Sequence, residues 1–109
     1  MSDVLGTFEQ AVLLALVHLG KDAYGRAILQ DVQTRLQRDV AAGAVYATLD
    51  RLEGKALVSS RLGSGTSVRG GRARRYYVIE SAGVRALNES KAAVEGIWQG
   101  FRWPLKSRA

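Results

Sequence analysis

Apolar residues recur at helical spacing in four stretches of the chain, and alternate at strand spacing in two short stretches between the third and the fourth. The first helical stretch is Ala11-Val12-Leu13-Leu14-Ala15-Leu16-Val17. It follows Thr7-Phe8-Glu9-Gln10, whose spacing suits a capping box with Thr7 as N-cap. The pattern predicts a helix to about His18 that stops near Gly20, apolar nearly all round and so placed centrally, partly in a subunit contact. In the second stretch Tyr24, Ile28, Val32 and Leu36 make one apolar face, predicting a helix from near Asp22 to near Gln37. A polar turn, Gln37-Arg38-Asp39, precedes a third helix over about 42–55, where Val45, Leu49 and Leu52 share a face.

Residues 57–62 and 74–79 then read as two strands of a hairpin, with Tyr77 and Ile79 turned to the core and Tyr76 assignable to either side. Between them Gly63, Gly65, Gly70 and Gly71 mark a tip over about 63–73. From Ser81 a long helix is predicted to run until Pro104. Along it Val84, Leu87, Lys91, Val94, Trp98, Phe101 and Leu105 lie three and four residues apart, a heptad-like stripe suited to a partner helix. Packing on the chain's own first helix would use the same stripe. Gly96 and Gly100 are poor helix residues, each costing about 1 kcal/mol against alanine, and suit close approach of another helix. The resulting division is a helix-and-hairpin unit over 1–80, a helix over 81–105 suited to dimerisation and a tail over 106–109.

Composition narrows the chemistry. A length of 109 residues with 47% apolar content supports one small domain. A chain of this size buries only about two-thirds of its unfolded surface, so dimerisation helps it. The net charge of +6 favours polyanionic partners, nucleic acid first among them. With no cysteine, disulfides, thiolate metal sites and cysteine nucleophiles are excluded, and the chain suits a reducing cytoplasm. The first apolar run is too short for a bilayer, and no targeting signal precedes it. The single histidine, His18, sits on an apolar helix, and the carboxylates show no paired spacing for acid–base work. Neither an enzyme nor a metal or cofactor site is therefore expected.

The functional candidates cluster between residues 40 and 79. At about 100° per residue, Ala44, Ala47, Thr48 and Arg51 point away from the apolar face of the third helix, with Tyr46 at its edge. Small residues allow close approach to a major groove, and a few polar tips can read bases. An ordinary surface helix that happens to carry alanines has the same pattern. The hairpin adds Arg69, Arg72, Arg74 and Arg75. A charge run is usually a solvated face, but this one follows a groove-sized helix directly, which favours phosphate contact. The expected fold is mainly α with a small β-hairpin, a winged helix-turn-helix with a long C-terminal helix. A basic module for RNA or for another protein is the alternative, although RNA readers usually carry exposed aromatic platforms and this hairpin offers mainly Tyr76.

Four blocks in order, Asp22-Ala23-Tyr24-Gly25, residues 43–53, residues 70–77 and Ala82-Gly83, resemble the PadR family of winged-helix transcriptional regulators. The resemblance covers residues 12–87. It implies a homodimer, usually a repressor, whose third helix occupies the major groove of double-stranded DNA; two-fold symmetry then suits a palindromic operator, and a cytoplasmic location fits the absence of cysteine. By position it places Tyr46, Thr48 and Arg51, with Lys55 at the end, on the DNA-contacting helix, and Arg69, Arg72 and Arg74 on the wing. A single C-terminal helix matches the family's small subgroup, with Leu87, Val94, Trp98 and Phe101 at the dimer interface. Some members bind planar aromatic molecules against a tryptophan there, which makes Trp98 a candidate effector contact; as simple interface core it needs no ligand. The chain departs from the family pattern at Ala41, where a capping serine is frequent, at Ala47 for a frequent proline, at Ala56 for a common glycine, and at Glu80 for a capping threonine.

Overall fold

The computed structural model describes residues 4–63 and 74–101. Its elements are α1 (Thr7–Leu19), a 3-10 turn (Gly20–Asp22), α2 (Gly25–Leu36), α3 (Ala42–Gly54), β1 (Val58–Leu62), β2 (Arg75–Ile79) and α4 (Ser81–Trp98).

Helix α1 begins one residue earlier in its cap than its sequence suggests. Gly6 is the N-cap, and its amide donates to Glu9 Oε1 at 3.0 Å. Gln10, expected to close a box with Thr7, instead donates from Nε2 to the Leu5 carbonyl at 2.9 Å. Ala11, Val12, Leu13, Ala15 and Leu16 are buried, so α1 is central as predicted, while Leu14 and Val17 remain exposed. Helix α2 starts later than the expected Asp22, because residues 20–22 form the 3-10 turn and Tyr24 is extended. It ends where Gln37 turns left-handed and donates its amide to the Gln33 carbonyl. Helix α3 follows Ala41, which supplies no side-chain cap.

The strands pair antiparallel, with Val58 opposite Ile79 and Leu62 opposite Arg75. A third extended piece joins them. The Tyr77 amide donates to the Ala23 carbonyl at 2.9 Å, and Tyr24 bridges Tyr76. The root of the hairpin is thereby hydrogen-bonded to the residues that lead into α2. Ile28, Val32, Val45, Leu49, Leu52, Val58 and Tyr77 close the core beneath α1. Tyr77 is buried and Ile79 half-buried against the core, as their alternation predicts.

Helix α4 stops short of its predicted end. It terminates at Trp98, followed by an extended Gln99 and by Gly100 at φ 88°. The amides of Gln99 and Phe101 turn back to the carbonyls of Gly96 and Trp98. Gly96 in its last turn weakens a lightly packed helix end, and the chain leaves helical geometry at Gln99, just before the positive φ of Gly100. Phe101 is therefore off the helical stripe. Pro104, Trp103, Leu105 and the tail lie outside the described residues. The first half of α4 is well anchored: Ser90 is fully buried, and its Oγ accepts the Leu5 amide at 2.9 Å. Among the described residues no helix is long and apolar enough to cross a membrane.

Candidate nucleic-acid interface

The buried face of α3 consists of Val45, Thr48, Leu49 and Leu52. Thr48, expected to point outward, is only 2% exposed. It completes an i, i+3, i+4, i+7 set, the full width of an apolar stripe on a packed helix. That corrects its assignment to the DNA-facing side. Its hydroxyl has a different use, accepting a hydrogen bond from Arg51 Nη2 at 3.1 Å. Arg51 itself is exposed, and Thr48 holds one terminal nitrogen of its five-donor guanidinium.

Tyr46 is 45% exposed and leans on the start of α2. A Cβ on Gly25 would lie 2.0 Å from the Tyr46 hydroxyl oxygen, so only glycine admits the ring there. The neighbouring Tyr24 carries the Arg74 guanidinium over its ring face, 4.2 Å from the centroid. Tyr46 from α3 and Arg74 from the wing root thus meet on one dipeptide, Tyr24-Gly25. Lys55 stands apart from them. It lies about 13 Å further along the axis of α3 than Tyr46, and its Nζ is 3.8 Å from Glu9 Oε2 at the start of α1. Arg69 and Arg72, with the glycine-rich tip, lie outside the described residues.

Tyr76 and Arg75, already marked on the hairpin, join this surface, together with Arg61, which the sequence did not single out. Tyr76 is half-buried on the hairpin's outer face, edge-on to Tyr24 with centroids 5.9 Å apart. Arg61 lies over the Tyr76 ring at 5.1 Å. Arginine–aromatic contacts of this exposed kind contribute roughly 0.5–1 kcal/mol each. Strand period does place Arg61 opposite Tyr76, but only once the register is known. Beside them Arg75 Nη1 donates to Ser60 Oγ at 3.0 Å, and Ser60 Oγ donates to Glu53 Oε2 at 2.8 Å, linking α3 to both strands. Burial pushes the Tyr77 phenol above its ordinary 10.0; Arg75 opposes the shift, and Asp50 and Glu53 add to it.

The remaining polar cluster belongs to helix packing. Asp31 accepts from Arg35 Nε at 2.5 Å and meets His18 Nδ1, joining α1 to α2. Among the described residues no three His, Cys, Asp or Glu side chains converge as a metal site requires.

A three-helix unit whose third helix stands beside a cation-bearing hairpin defines a winged-helix DNA-binding protein. The model of the transcriptional regulator PadR-like family matches residues 13–89, and the chain belongs to that family. Members are DNA-binding regulators rather than enzymes. Solved structures agree. A PadR-like transcription factor from Bacteroides fragilis is 27% identical, with 84% of each chain covered and a TM-score of 0.67. A PadR family regulator from Clostridium difficile R20291 is also 27% identical, with 88% of this chain and 98% of that one covered, at 0.67. Bordetella bronchiseptica BpsR, whose DNA binding is regulated by 6-hydroxynicotinic acid, shares the fold at 17% identity and a TM-score of 0.65, with 97% of this chain and 72% of that one covered. No curated protein matches the chain.

Proposed function

We propose that the protein is a homodimeric repressor that reads a palindromic operator in double-stranded DNA. The observation that carries the reading is the convergence of Tyr46 and Arg74 on Tyr24-Gly25, which aligns the outward side of α3 with the root of the wing. Helix α3 enters the major groove, Tyr46 and Arg51 face the bases, and Arg74 with Arg69 and Arg72 lies on the flanking backbone. Thr48 acts indirectly, through Arg51. Lys55, drawn toward Glu9, contributes charge at the rim of the interface. A two-fold axis sets the two reading helices about 34 Å apart, one turn of B-DNA.

Pairing is supported by the apolar side chains left in solvent on α1 and α4. Leu14 and Val17 lie on the first; Val84, Val94, Ile97 and Trp98 lie on the second, with Ile97 74% exposed. Leu87 sits between this face and the core, half-buried, and Phe101 is 66% exposed just past the helix end. A planar aromatic effector is accommodated beside Trp98 between the subunits. Its support is the half-exposed indole, together with the control of BpsR by an aromatic acid.

The decisive experiment is a gel shift on duplex fragments from upstream of the protein's own gene, with single-stranded DNA and RNA of the same sequence alongside. Duplex-selective retardation that yields a symmetric footprint is expected. Preferential retardation of RNA would replace the operator reading with the RNA-binding one. Titrating aromatic acids against tryptophan fluorescence tests the effector, with quenching and release of the operator as the expected pair of responses.

A further inference from the structure

Arg61, Tyr76, Tyr24 and Arg74 form a continuous ladder in which each guanidinium lies on a tyrosine face and the two rings meet edge to face. The ladder spans three backbone segments: β1, the start of β2 and the lead-in to α2. Gly63 completes it. A Cβ there would come within 2.8 Å of the Tyr76 ring, and the Gly63 amide donates to the Arg74 carbonyl at 2.6 Å.

Among the described residues neither Arg61 nor Arg74 has a carboxylate partner, whereas Arg35 is paired with Asp31 and Arg75 is hydrogen-bonded to Ser60. Each ring lies under one side of its guanidinium, and among the described residues no hydrogen bond engages the N–H edge. That edge is the part that matches a phosphate, and a ring-held fork loses little side-chain freedom when it binds. An arginine without a carboxylate partner, held over an aromatic ring, is a preformed anion contact.

We infer that Arg61 is a second backbone-contacting arginine of the wing root, and that Tyr24 is a positioning residue which holds Arg74 for the same purpose. Together they clamp the sugar–phosphate backbone beside the groove occupied by α3. The inference rests on the DNA-binding reading above and adds to it a strand arginine, together with a tyrosine that acts through another side chain. A clamp on phosphates is independent of base sequence, so it is measurable without knowledge of the operator.

The test uses the full chain and a random-sequence duplex, titrated over a range of salt concentrations. Arg61→Ala is expected to weaken binding to every duplex alike and to reduce the slope of log affinity against log salt by about 0.9 for each arginine engaged. Tyr24→Leu is expected to weaken binding severalfold in the native background and to add nothing in an Arg74→Ala background. Tyr24→Phe, which keeps the ring, retains native affinity. Thermal unfolding of each variant separates loss of the clamp from loss of the fold. An unchanged salt slope in Arg61→Ala overturns the backbone contact. Additive losses in Tyr24→Leu/Arg74→Ala overturn the positioning role. Native protein that binds no duplex overturns the regulator reading itself, an outcome distinct from both.

Discussion

Ala56 follows α3 with its backbone at φ 63°, a left-handed conformation that costs an L-residue with a side chain roughly 1–2 kcal/mol. The turn is otherwise well made. The Leu57 amide reaches back to the Leu52 carbonyl and the Ala56 amide to that of Glu53, both at 3.0 Å. Ala56→Gly relieves the strain, partly offset by the greater freedom of glycine in the unfolded chain. A gain of about 0.5–1 kcal/mol is expected in chemical denaturation. Tyr77 gives a prediction of pH dependence. Its phenol is buried and its folded pKa lies above 10.0. The neutral form is therefore the one that the fold favours, and its stabilising contribution is complete below pH 10 and lost as pH rises through the folded pKa. Tyr77→Phe should flatten the alkaline limb of stability against pH; an unchanged limb would assign the loss to other groups. Thr48 shows how far residue-level reading reached. Its angular position, 60° from Val45 by helical geometry, lies at the margin between faces, and polarity argued for solvent. Packing decided otherwise, because Thr48 falls one turn before Leu52 on the side of α3 that the rest of the domain covers.

At the scale of elements, the proposed function divides recognition between α3 and the hairpin. Arg51 projects from the reading helix with one donor anchored on Thr48. A bidentate arginine on guanine discriminates by about 1–3 kcal/mol. Arg51→Ala is accordingly expected to lower affinity for the operator by roughly that amount at one base position while leaving random duplex little affected. Arg72→Ala on the wing should weaken both duplexes alike. Competition binding with operator and random DNA measures both, and equal losses for the two variants would refute the division. The elements themselves were largely legible in advance. Helical and strand periods differ so plainly that three core helices and two strands were predicted within a few residues of their observed bounds. Misplaced ends share one cause: a helix terminus depends on small local balances. The start of α2 yielded to a 3-10 turn, and α4 ends at Trp98, ahead of the positive φ of Gly100 and six residues before the proline expected to stop it.

For the molecule as a whole, the principal unmet demand is the apolar surface on α1 and α4. Val94 is exposed on the outer half of α4 and makes no part of the core. Val94→Glu is expected to shift a dimer toward monomer in sedimentation while the winged-helix unit stays folded, because the change is distant from Leu13, Leu49 and the rest of the core. Operator affinity should fall with it, since linking two half-sites multiplies their affinities. A monomer that binds the operator as tightly as native protein would refute the two-fold reading.

The amino-acid sequence alone determined where helices and strands form, that the chain is basic and cysteine-free, and that a helix followed by an arginine-rich hairpin recurs in the order of the PadR-like family. These properties follow from local period and composition. Tertiary structure alone decided which edge of α3 is covered, that Tyr46 rests on Gly25, and that Arg61 and Arg74 are ordered by tyrosines from other segments. Such contacts join residues far apart in the chain. They arise only when β2 pairs with both β1 and the lead-in to α2, and no local pattern encodes that meeting.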